Sequence, residues 1–155
     1  MKPTSLRTWA IRWLYAAVVL HVIVGALLPW WADLPQLNAY HHGIEAAFWK
    51  NGAPLEARAQ QLWWMALLGA TVQAAAVWMG ALVWIGARQR GVEPWAALIA
   101  GLLLWAPQDM LISLRAGCWS HVWVDCAALA GMLPPLFYLV HCERRAAMPR
   151  REVAP

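Results

Sequence analysis

Four long apolar stretches, separated by short polar turns, constrain this chain more than anything else in it. Trp13–Trp31 is an almost uninterrupted hydrophobic run, close to the ~20 residues that carry a helix across a ~30 Å hydrocarbon core. Residues 62–85, 95–114 and 119–140 repeat the pattern. In lipid every backbone N–H and C=O must be paired within the protein, so such stretches fold as helices. The composition agrees: 62% of residues are hydrophobic and 13% charged, against about 45–50% and about 25% in a soluble domain. The expected fold is therefore all-α, a polytopic membrane protein built as a four-transmembrane-helix bundle.

The connecting segments fill in the layout. Residues 1–12 form a basic leader, residues 13–141 the membrane domain and residues 142–155 a basic tail expected to be mobile. The first apolar run is too long for a cleaved signal peptide, and no small-x-small cleavage site precedes Pro29-Trp30-Trp31, so it reads as an uncleaved span. Between spans one and two, Ile44, Ala47 and Phe48 make an apolar stripe that Asn51-Gly52-Ala53-Pro54 ends. That pattern predicts a short helix lying on the membrane surface. Lys2, Arg7, Arg12, Arg88, Arg90, Arg144, Arg145, Arg150 and Arg151 fall on one side, and Lys50, Arg58 and Arg115 on the other. The positive-inside rule then places both termini in the cytoplasm. The net charge of +4 thus reads as a topology signal, and no nucleic-acid partner is expected.

Small residues four apart (Ala66, Ala70 and Ala74; Ala76 and Gly80; Ala97 and Gly101) predict close helix approach in lipid. Gly131 and Pro134-Pro135 predict a kink in span four, and Pro107 an interruption of span three. Among thirteen tryptophans, those at 9, 13, 30, 31, 63, 64, 95 and 119 fall at span edges, as interfacial anchors do. Trp78, Trp84, Trp105 and Trp123 lie deeper and are expected to pack inside.

Chemistry is expected where the last two spans meet. Asp109 lies about 6 Å inside the end of span three and Asp125 about 9 Å inside the start of span four, at 1.5 Å per residue. A carboxylate at such depth costs ~2.5–3.5 kcal/mol on insertion scales unless something receives its charge. His121 shares a helix face with Asp125, and Gln108, Arg115, Trp119 and Trp123 at the same level, with His21 and Gln73 deeper in, are candidate ligand-binding residues. Asp109, Asp125 and His121 are candidate catalytic groups, since two nearby carboxylates can divide into an acid and a base. Two plainer arrangements stay open: Asp109 paired with Arg115, and Asp125 bonded to His121 across one turn. His21 and Gln73, near the midplane, are expected to hydrogen-bond between spans one and two.

No cofactor is expected. The histidines offer no two-imidazole haem set, and three cysteines without a CxxC argue against a thiol–disulfide centre. No phosphate loop, nucleophile elbow or zinc motif is present. His42 and Glu45 are spaced to share a metal, but adjacent His41 and His42 diverge on a helix, so no metal site is expected.

The segments Trp105-Ala-Pro-Gln-Asp-Met-Leu-Ile-Ser-Leu-Arg115, Ala59-Gln-Gln-Leu-Trp-Trp64 and Met132-Leu-Pro-Pro-Leu136 give the chain a resemblance. It resembles small four-span inner-membrane proteins of Gram-negative bacteria that often carry the label "cell division protein". That resemblance implies a bacterial inner-membrane location and no catalytic residues. The layout is also similar to lipoprotein signal peptidase, a four-span enzyme with an aspartate dyad near the outer face of its last two spans. The Asn-Gly signature and Gly-Ala-Phe run of that family are absent here. Two functions follow as expectations. One is a membrane protein that binds a lipid, another membrane protein or itself, in envelope assembly or division. The other is an intramembrane enzyme acting on a lipid-linked substrate from the periplasmic face through Asp109 and Asp125. A transporter lacks the internal repeat that would support it.

Overall fold

A computed structural model describes residues 3–148. The polypeptide forms five α-helices: α1 (Pro3–Trp31), α2 (Asn38–Phe48), α3 (Leu55–Gln89), α4 (Glu93–Ala116) and α5 (Trp119–Ala147), with a 3-10 turn at Pro35–Leu37 before α2. Four of them, α1, α3, α4 and α5, are long and apolar enough to cross a membrane. The protein is an all-α, multi-pass membrane protein. The helices overrun the hydrophobic stretches: α1 begins inside the basic leader and α5 continues into the tail, because polar end turns extend a helix as readily as apolar ones. Residues 149–155 of the expected mobile tail lie outside the described residues.

The bundle is a ring in which α1 contacts α3 and α5, and α4 contacts the same two helices. The α1–α3 contact is the most extensive, and its cause is glycine. A Cβ on Gly25 would lie 2.6 Å from the Gly69 carbonyl oxygen, and a Cβ on Gly69 equally 2.6 Å from the Gly25 oxygen. Two backbones meet there with no side chain between them. On α3, Gly69, Ala76 and Val83 recur every seven residues along the buried face. Of the alanine rows expected to mediate approach, Ala76 and Gly80 face inward, whereas Ala70, Ala74 and Gly101 point away from the bundle.

Both proline sites remain inside continuous helix. Pro135 has no N–H for the carbonyl of Gly131, and the Trp13 indole N–H of α1 donates to that oxygen at 2.8 Å. Trp9, Trp13, Trp30, Trp31, Trp63, Trp64 and Trp119 are exposed, but the other tryptophans depart from expectation. Trp95 is wholly buried against Gly86, where any Cβ would strike its ring, while Trp78, Trp84, Trp105 and Trp123 face outward. In lipid an outward aromatic ring loses nothing, so depth along a helix does not decide which way a ring points.

The interior is divided along the bundle axis. Ala10, Leu14, Val83, Trp95, Leu98, Ile99, Met132, Leu136 and Leu139 form the apolar core, all in the half that holds both described chain ends. That end is closed by an ion pair: Arg7 of α1 donates to Glu143 of α5 at 2.8 Å. Its second nitrogen reaches the Gly86 and Ala87 carbonyls at the end of α3. The opposite half buries polar groups, namely His41, Gln61, Ser113 and Asp125, beside smaller apolar residues such as Ala57, Ala106 and Val122.

Candidate functional site

The polar half owes its geometry to the α4–α5 turn. Gly117 adopts φ 77°, a left-handed conformation open to glycine at little cost. Its N–H donates to the Leu114 carbonyl at 3.1 Å, and the Cys118 N–H to Ser113 at 2.8 Å, which completes a Schellman motif. The next helix begins at once, at Trp119. So tight a reversal sets the last turns of α4 beside the first turns of α5, and Asp109 faces His121 and Asp125.

The chain of contacts starts on α2. The Tyr40 hydroxyl donates to His121 Nδ1 at 2.9 Å, and His121 Nε2–H donates to an Asp109 carboxylate oxygen at 3.2 Å. A neutral imidazole with its proton on Nε2 satisfies both bonds at once. Burial, and after it the nearby Cys118, Asp109 and Asp125, pushes the Tyr40 phenol above its usual range, so the hydroxyl keeps the proton it donates. α2 is held over the bundle by a second network. Arg58 of α3 donates to Glu45 at 3.0 Å and to Asn38 at 3.1 Å. The hydrogen bond from His42, joined by Arg58, draws Glu45 below the ordinary carboxylate range.

Asp125 stands apart from these pairings. It is 1% exposed, and its Oδ2 has no hydrogen-bond partner among the described residues. Asp109, His121 and Asp125 each present one ligand atom within 4.8 Å of the other two. Beside Asp109 a recess of about 260 Å³ opens between Trp105, Gln108 and Ile112.

The other sequence-derived candidates divide. Gln108 lines the recess and donates to its own helix at Leu104. Trp119 and Trp123 point outward beside the site. Arg115 is exposed and makes no ion pair among the described residues; Asp109 takes His121 in its place, and Asp125 does not bond His121 across the turn. The expected His21–Gln73 bond is also absent among the described residues. His21 donates back to the Ala17 carbonyl at 2.7 Å, and Gln73 lies over Gly25 at the glycine crossing.

His42 and Glu45 do meet, at 2.9 Å, as an exposed pair. His41 is wholly buried, with Nδ1 2.8 Å from Gln61 and Nε2 2.7 Å from the Ala32 carbonyl. Both its nitrogens are engaged, so it is a structural pin between α1, α2 and α3. Sequence reasoning missed Tyr40, because nothing local links position 40 to position 121. Compared with known proteins, the chain matches no family model, no curated protein and no solved structure.

Proposed function

We propose that this is a small inner-membrane protein of the bacterial envelope, both termini cytoplasmic, that binds a membrane lipid through the polar end of its bundle. On this reading it serves envelope assembly or division, and the site opens on the periplasmic side. One observation carries the proposal: a buried carboxylate, Asp125, whose Oδ2 has no hydrogen-bond partner among the described residues. A charge so placed is retained for a ligand more readily than for stability, since an unpaired buried carboxylate only costs free energy. With Asp109 beside it, the group that reaches Asp125 is positively charged. The outward rings of Trp105, Trp119 and Trp123 suit a headgroup-level entrance.

Native mass spectrometry of protein extracted gently from its own membrane tests this. A stoichiometric small molecule, lost in Asp109→Asn, supports the site. A second polypeptide retained in its place shifts the reading to a partner membrane protein, and a bare protein overturns it.

The proximity of Asp109 and Asp125 favours one further reading, an intramembrane enzyme in which the buried carboxyl acts as acid and its neighbour as base. If Asp109→Asn and Asp125→Asn accumulate normally yet each abolish a lipid-processing phenotype, that reading gains. If both are silent, it ends.

A further inference from the structure

We propose that Asp109, His121 and Asp125 form a three-ligand site for a divalent transition-metal ion of the zinc class, with Tyr40 positioning the imidazole. The inference rests on the reading above, that this end of the bundle binds a ligand, and identifies the positive charge. Three observations converge. The donor set of one imidazole and two carboxylates matches the nitrogen and oxygen ligands such ions take. The donor atoms lie within 4.8 Å of one another, and tetrahedral ligands about 2.0–2.2 Å from an ion stand roughly 3.3 Å apart. Small side-chain rotations close the difference; His121 and Asp109 already stand at 3.2 Å. The third observation is Asp125 itself, buried at 1% exposure with an oxygen that has no hydrogen-bond partner among the described residues.

Charge selects the class of ion. Two carboxylates need two positive charges, which one divalent cation supplies, while a lipid ammonium or a lysine supplies only one. In a low-dielectric setting the uncancelled charge is costly. Tyr40 then has a defined part. When Nε2 coordinates the ion, the imidazole proton moves to Nδ1, and that N–H donates to the Tyr40 oxygen, 2.9 Å away. The same contact serves both tautomers, with donor and acceptor exchanged, as in the outer-shell partners that orient metal-bound histidines. Three protein ligands leave a coordination position open. The recess lined by Trp105, Gln108 and Ile112 adjoins one of the three ligands, Asp109.

The full chain in detergent micelles, stripped with a chelator, is titrated with Zn²⁺ for stoichiometry and with Co²⁺ for visible ligand-field absorption. One ion per chain is expected, with a tetrahedral Co²⁺ spectrum. Asp125→Asn, Asp109→Asn and His121→Gln each abolish that spectrum. Tyr40→Phe weakens binding by about 10–100-fold, the usual cost of losing an outer-shell partner. His141→Gln, an exposed histidine at the opposite end of α5, leaves binding unchanged. Circular dichroism confirms that each variant is helical. Binding unaffected by the three ligand variants, or lost in His141→Gln, overturns the proposal. So does a protein that takes up no metal. If such a protein retains a lipid in native mass spectrometry, the binding reading survives without the metal; if it retains nothing, both fall.

Discussion

Arg7 and Glu143 show how much a single side chain carries where the bundle closes. Among the described residues Glu143, 3% exposed, pairs only with Arg7, whereas Arg7 is 18% exposed and also reaches two backbone carbonyls. Removing either partner strands a charge, but not equally. Arg7→Leu leaves a buried carboxylate with no counter-ion and should cost about 3–5 kcal/mol. Glu143→Leu leaves a partly exposed guanidinium with other acceptors and should cost clearly less; thermal unfolding in micelles will rank them. The Trp13 indole offers a second test. Trp13→Phe should cost about 0.5–1.5 kcal/mol by deleting one hydrogen bond. In a Pro135→Ala background a backbone N–H can bond Gly131 instead, so a double-mutant cycle should find the Trp13→Phe cost largely gone.

Helix pairs are governed by the residues that are smallest. Gly69→Ala places a methyl group 2.6 Å from the Gly25 oxygen and should force α1 and α3 apart, at about 1–3 kcal/mol. Gly101 has nothing within 4 Å of its would-be Cβ, so Gly101→Ala should be neutral or stabilising by up to about 1 kcal/mol. Comparing the two unfolding temperatures separates packing from helix propensity. The short helix α2 depends on charge. Because Glu45 titrates below the ordinary glutamate value of about 4.3, its tie to His42 and Arg58 is fully present above that value. It weakens as pH falls below it and through the lowered one. Corrected for the intrinsic slowing of amide exchange in acid, the protection factors of α2 should fall across that window while those of α1 hold. In Arg58→Ala, α2 exchange should already be faster at neutral pH.

Taken whole, the molecule is a bundle with an apolar half at its chain ends and a polar half at the α2 and α4–α5 end. The proposed orientation makes the apolar half cytoplasmic. A C-terminal fluorescent-protein fusion should then glow and a C-terminal alkaline phosphatase fusion stay inactive; the reverse pattern would invert the topology. How much of this was legible depends on the range of the interactions. Helical class, the number of spans and the polar level of Asp109, His121 and Asp125 follow from the amino-acid sequence alone. Each rests on local hydropathy or on the fixed rise of a helix, and neither needs a partner. Rotation about each helix axis is different. Lipid accepts apolar side chains facing either way, so hydropathy is silent on which face turns inward. Trp95 inside, Trp123 outside and the choice of Gly25–Gly69 over the alanine rows were decided by tertiary packing. The same holds for the two polar closures, Arg7 with Glu143 and Tyr40 with His121, whose partners lie 136 and 81 residues apart. Only the folded bundle brings them within hydrogen-bonding distance.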